Sequence, residues 1–135
     1  MKVFLAAPLF SEAERLFNSK IAKRLRENGF EVWLAQEAPF IQQGTHEEKK
    51  TIYEVDISAL KTCNAVLAVL DGLEVDAGVA YEMGYAKALG KPIVGLKTDY
   101  RTFSGMEEVN LMLEVPLITI CRTTDEAINS LGKIR

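Results

Sequence analysis

Two short apolar runs, NAVLAVL (Asn64 to Leu70) and KPIVGL (Lys91 to Leu96), bracket the helix-period stretch DAGVAYEMGYAKALG. That bracket constrains the chain more than any other feature. Apolar runs of this length read as buried strands, and strands joined by a crossover helix pair in parallel. Asp76 and Glu82 flank Gly78 where the loop after the first run turns into the helix. Both acids therefore fall at the carboxyl end of a strand, where open α/β sheets bind ligands.

The same alternation organises the rest of the chain. KVFLAA (residues 2 to 7) reads as a first strand ended by Pro8. Ser11 with Glu14 forms a capping box, and Ala13, Leu16, Phe17, Ile21 and Leu25 recur at helical spacing up to Asn28-Gly29. FEVWLA, from Phe30, is a second strand, followed by a loop from Gln36 to Thr45. His46 to Cys63 reads as a helix with one apolar face, and Asp56 lies within that face. The third strand is Asn64 to Leu70, the third helix Asp76 to Leu89 with Gly90 as its stop, and the fourth strand Pro92 to Leu96. A loop to about Gly105, a helical turn from Met106 to Leu113, a fifth strand LITIC and a last helix from Asp125 to Leu131 complete the reading. The fold class expected is therefore α/β: one domain over residues 1 to 135, with a Rossmann-like or flavodoxin-like parallel sheet of about five strands and helices on both faces. The strand order is not legible.

With 135 residues and a net charge of -3, the chain lacks the basic footprint of a nucleic-acid binder. No apolar run approaches the roughly 20 residues of a membrane span. Cys63 and Cys121 match no metal-ligand spacing, and Met1 to Ala7 runs directly into a strand pattern rather than a secretory leader. A cytoplasmic protein with reduced thiols and no cofactor or metal is expected.

The chemistry is narrowed by elimination. A dinucleotide fold needs G-x-G-x-x-G directly after the first strand, where this chain reads AAPLFSE. A phospho-accepting Asp71 would need further acids for Mg²⁺, and the first strand ends in Ala6-Ala7. Glycosyl transfer fits better, since retaining cleavage of an N-glycosidic bond needs a carboxylate nucleophile and an acid for the leaving base. Glu82 suits the nucleophile, expected to stay ionised near the positive end of its helix, with Gly78 one turn earlier leaving room for a sugar ring. Asp76 suits a sugar-hydroxyl acceptor. Asp56 suits the acid, because an apolar setting raises a carboxyl pKa.

DAGVAYEMGYAKALGKPIV, the opening KVFLAAPLF, IYEVDISALKTCNAVLAVLDG and the late VNLML together resemble the nucleoside 2-deoxyribosyltransferase family, from Lys2 to about Leu113. The resemblance implies exchange of the base of 2'-deoxynucleosides through a covalent deoxyribosyl-Glu82 intermediate. By the same resemblance Asp76 binds the sugar and its 5'-hydroxyl, Asp56 handles the base nitrogen, and Gln36 contacts the base. Asn110, within the N-L-M motif that also carries Met112, reaches a neighbouring subunit's sugar site, so a homo-oligomer is expected. The partners implied are nucleosides and free nucleobases, with no nucleic-acid polymer and no membrane. Related deoxyribonucleoside 5'-monophosphate N-glycosidases carry serine where this chain has Asp76, and a carboxylate there repels a 5'-phosphate. Family members place a tyrosine on the first strand near the nucleophile, whereas this chain has Phe4, which keeps the stacking surface and loses the hydroxyl.

Plainer roles stand beside these. Asp76 is also a natural helix cap, Glu82 a solvated helix residue, Asp56 a partner for Lys49, Lys50 or Lys61, and Asn110 a turn cap. Asp71 with Gly72 makes a turn whose place at the strand end allows substrate contact. His46 reads as solvent-exposed, Trp33 as core, and Tyr81 with Tyr85 as packing groups. The rival functions are a nucleoside or deoxynucleoside 5'-monophosphate N-glycosidase, an NAD-cleaving TIR-like domain that the opening half also resembles, and a non-catalytic nucleoside-binding module.

Overall fold

A computed structural model describes residues 1–39 and 41–134. Five strands, β1 (Lys2–Ala6), β2 (Glu31–Leu34), β3 (Ala65–Val69), β4 (Ile93–Leu96) and β5 (Thr119–Cys121), form one parallel sheet in the order β2-β1-β3-β4-β5. This is the flavodoxin-like order, with its switch point between β1 and β3. Helices α1 (Glu12–Glu27), α2 (His46–Thr62), α3 (Ala77–Ala88), α4 (Leu111–Glu114) and α5 (Thr124–Gly132) connect or follow the strands.

The period-2 alternation of β1 sends its side chains into two cores. Val3 and Leu5 pack with Ile21 and Leu25 of α1 and with Ala127 and Leu131 of α5. Phe4 and Ala6 pack with Ala59 and Leu60 of α2 and with Val79 and Met83 of α3. In register, Phe4 lies between Trp33 on β2 and Val66 on β3, so these three side chains form one row beneath α2 and α3. All five residues of β3 are buried, as expected of a central strand covered on both faces.

The helix starts follow local capping chemistry. The Ser11 Oγ accepts the Glu14 N–H at 3.1 Å while Glu14 Oε1 accepts the Ser11 N–H at 2.7 Å, completing the expected capping box. Thr45 caps α2 through the Glu48 N–H, and Thr123 caps α5 through that of Glu126.

Several boundaries differ from the sequence reading. β1 stops at Ala6, β2 runs only from Glu31 to Leu34, and Ala35–Glu37 forms a short 3-10 turn where the reading expects the last strand residue and the start of a loop. The helical turn expected from Met106 to Leu113 is confined to α4. Ser104 Oγ accepts the N–H groups of Met106 and Glu107, and Phe103 N–H bonds the Glu108 carbonyl, so the chain folds into a tight turn before Asn110 starts a new one. β5 is shorter than LITIC, beginning only at Thr119.

No helix among the described residues is long and apolar enough to cross a membrane.

Candidate active site

Asp76 is the N-cap of α3. Its Oδ2 accepts the backbone N–H groups of Gly78 at 3.0 Å and Val79 at 3.1 Å, while Oδ1 accepts none among the described residues. One carboxylate oxygen thus caps the helix terminus and the other is left unbonded among the described residues. A Cβ at Gly78 would sit 3.1 Å from Asp76 Oδ2, so glycine there keeps the cap uncrowded. Glu82 follows one turn after Gly78 on the same face, and it accepts no hydrogen bond and forms no ion pair among the described residues.

Asp56 projects from α2, half-buried and without the lysine partner that a surface role would supply. Burial raises its carboxyl pKa, as the apolar setting predicted, and the approach of the Trp33 indole partly opposes that rise. The Trp33 Nε1–H is buried and closes no hydrogen bond among the described residues. Trp33 is therefore a half-buried neighbour of the acid as well as a core residue.

Burial, then Asp56, then Asp76 push the Glu82 carboxyl up to about 8. This corrects the expectation that the helix terminus keeps Glu82 ionised. The macrodipole acts within the first turn, and Glu82 lies six residues past the cap, where desolvation and two like charges outweigh it. Phe4, 1% exposed, lies in the buried cluster with Val79 and Met83 on either side of Glu82 in the helix, and it has no hydroxyl to offset that shift.

The other expected residues bond elsewhere than to these three acids. The Gln36 side chain donates to the Arg15 carbonyl at 2.9 Å and the Ser19 hydroxyl at 3.0 Å, and accepts from buried Asn18 at 3.0 Å, so its amide is committed to α1. Asn18 also donates to the Pro8 carbonyl at 2.8 Å, tying together the loops after β1 and β2. Asn110 caps α4 by accepting the Met112 N–H at 2.9 Å. Met112 is 72% exposed beside exposed Leu111, Val115 and Ile118. His46 is exposed, as expected.

Asp71 joins the ends of β3 and β4. Its carboxylate accepts from Thr98 N–H and Thr98 Oγ1, both at 2.6 Å, and from Asp99 N–H at 3.1 Å. Asp99 in turn accepts the Gly72 N–H at 2.7 Å, Lys97 Nζ at 2.6 Å and Arg101 Nε at 2.7 Å. Burial pushes the Asp99 carboxyl up, yet these three donors together hold it below the usual carboxylate range.

Sequence reasoning missed Lys97 and Asp99, whose only signal is their place just past the β4 end, and it missed Tyr53. The Tyr53 and Tyr81 hydroxyls lie 2.6 Å apart with their rings edge-on at 6.0 Å. This contact joins α2 to α3 beside Asp56 and Glu82 and gives Tyr81 a partner on the facing helix.

Fold and site together define a flavodoxin-like α/β protein with carboxylates from two adjacent helices meeting at the carboxyl end of its sheet. The family model described as Nucleoside 2-deoxyribosyltransferase matches residues 3–126, and the chain belongs to that family. A 2-deoxyribosyltransferase from the psychrotolerant bacterium Bacillus psychrosaccharolyticus superposes with a TM-score of 0.83 at 25% identity, covering 99% of this chain and 96% of that one. The 2-deoxyribosyltransferase of Leishmania mexicana gives 0.77 at 19% identity, covering 98% and 97%. A Clostridium botulinum CMP N-glycosidase gives 0.64 at 23% identity, covering 98% and 99%. A search of curated proteins gave no match.

Proposed function

We propose that this protein is a nucleoside 2-deoxyribosyltransferase that exchanges the base of 2'-deoxynucleosides by a ping-pong route through a covalent deoxyribosyl-Glu82 intermediate. The observation that carries the reading is the proximity of two carboxyl groups with raised pKa values, Asp56 and Glu82, beside a helix-capping Asp76 with one free oxygen. Glycosyl transfer needs one proton shared between a nucleophile and an acid, and two facing carboxyl groups hold one proton more readily than none.

In the first half-reaction the Glu82 carboxylate attacks C1' as the bond to the base nitrogen breaks. The electron pair leaves with the base, which takes the proton held by Asp56. In the second half, an incoming base nitrogen attacks C1', the bond to Glu82 breaks, and the proton of that nitrogen passes to Asp56. Attack requires the shared proton on Asp56 and the Glu82 carboxylate ionised. No cofactor enters either step.

Asp76 Oδ1 receives the 5'-hydroxyl of the donor. Because Oδ2 already occupies the Gly78 and Val79 N–H groups, two of the α3 terminal donors are withheld from a 5'-phosphate, and the carboxylate repels one. Nucleosides are therefore favoured over nucleotides. Asn110 and Met112 lie on the exposed apolar segment around α4, which supports their serving the sugar site of a neighbouring subunit in a homo-oligomer.

Incubation with deoxyinosine, with and without adenine, tests the reading. Formation of deoxyadenosine is the expected result. Free deoxyribose alone replaces the transferase with an N-glycosidase, and no turnover with retained nucleoside binding replaces both with a binding module.

A further inference from the structure

Lys97 is one of two buried polar or charged residues among those described, with only 1% of its surface exposed. A cation withdrawn from water to that degree loses its solvation, and an unbranched apolar side chain in its place would avoid that loss. Its ammonium group is not spent on its own strand. Nζ bonds Asp99 Oδ1 at 2.6 Å and approaches the Gly72 carbonyl at 3.4 Å, while the other Asp99 oxygen accepts the Gly72 N–H at 2.7 Å. Lys97 and Asp99 therefore hold the N–H and the carbonyl of one residue, Gly72, from the neighbouring strand end.

Gly72 is the sharpest point of the loop that leads from β3 to the α3 cap. Its φ is 120°, and a Cβ there would lie 2.9 Å from the Glu74 carbonyl oxygen. Leu73 and Glu74 are exposed, so between Gly72 and Asp76 only Val75 packs on the core. Where Gly72 is fixed, the short chain after it delivers Asp76.

We propose that Lys97 is a positioning residue of the active site: with Asp99 it grips Gly72 and thereby sets the placement of the Asp76 carboxylate that receives the donor's 5'-hydroxyl. The inference rests on the proposed transferase reading for its catalytic consequence, though not for its structural part. A lysine that served stability alone would affect all substrates alike. A lysine acting through Asp76 matters only when the substrate has a 5'-hydroxyl to place.

Two measurements on Lys97→Met test this. Hydrogen exchange of the Gly78 and Val79 amides, both bonded to Asp76, should quicken about tenfold while α1 amides keep their protection. For base exchange, kcat/KM on 2'-deoxyadenosine should fall about tenfold or more, chiefly through KM, with little change on 2',5'-dideoxyadenosine. Asp76→Asn should show the same substrate pattern, and the double variant should be no worse than Asp76→Asn alone. Unchanged exchange at Gly78 and Val79, or an equal loss on both nucleosides, overturns the proposal. Asp99→Asn, which retains an acceptor for the Gly72 N–H, carries the same comparisons if Lys97→Met does not fold. If the unmodified protein exchanges no base, the transferase reading fails and the amide measurement alone decides the role of Lys97.

Discussion

The Asp56 carboxylate on α2 raises the pKa of Glu82 on α3, and neither group forms an ion pair among the described residues. Two acids held near each other in a half-buried site cost stability, and the proposed holding and moving of a proton gives that cost a use.

The rate should depend on the one proton that Asp56 and Glu82 share. With the Glu82 carboxyl at about 8 beside charged Asp56, the pair keeps that proton at neutral pH and gives it up above about 8. The kcat/KM for deoxynucleoside should therefore hold level from pH 6 to about 8 and fall above it, close to tenfold per unit. A profile that goes on rising through pH 8.5 removes the shared proton as the one the leaving base takes.

Glu82 should also weaken the fold as it ionises. A carboxyl raised in the folded state binds its proton more tightly there than in the unfolded chain, so the folded state loses stability as pH rises from about 4.5 through 8. Glu82→Gln removes that loss. Denaturant melts should show it more stable than the parent by about 1–3 kcal/mol at pH 8.5 and nearly equal at pH 4, with kcat reduced at least about 10³-fold. Equal stability of the two proteins at both pH values contradicts the burial argument.

Phe4→Tyr should restore a hydrogen bond to the nucleophile. Phe4 sits in the cluster that packs beneath α3, in register between Trp33 and Val66. A hydroxyl that reaches Glu82 should stabilise its ionised form, shift the descending limb below 8 and raise kcat. One that finds no partner should instead lower stability by about 1–3 kcal/mol with the limb unmoved, and calorimetry beside the pH profile separates the outcomes.

Asp76→Ser should relax the discrimination against phosphate. Serine keeps a capping oxygen, removes the charge and frees α3 amides for an anion. The ratio of kcat/KM for a deoxynucleoside 5'-monophosphate to that for the nucleoside should rise about 10-fold or more. Competition assays with both substrates in one tube read that ratio directly; no rise means that phosphate is excluded by some other feature.

Much of the site could be read before folding because its parts lie close in sequence. Asp76, Gly78 and Glu82 fall within seven residues on one helix start, and the cap that Asp76 forms is set by its own neighbours. Asp56 was legible only through a resemblance and an apolar context. Gln36 is given a base contact by the resemblance alone, and its amide bonds Arg15, Ser19 and Asn18, partners 17 to 21 residues away in sequence that no local pattern announces.

The sequence by itself determined the βα alternation, the caps at Ser11, Thr45, Asp76 and Thr123, and the placing of two acids at a strand's carboxyl end. These depend on periodicity and on bonds spanning two or three residues. The tertiary structure alone decided the strand order, the meeting of Asp56 with Glu82, the rise of Glu82 to about 8 and the grip of Lys97 and Asp99 on Gly72. Each of those requires groups distant in the chain to be brought together and stripped of water, and desolvation is a property of the packed molecule, absent from any local stretch of it.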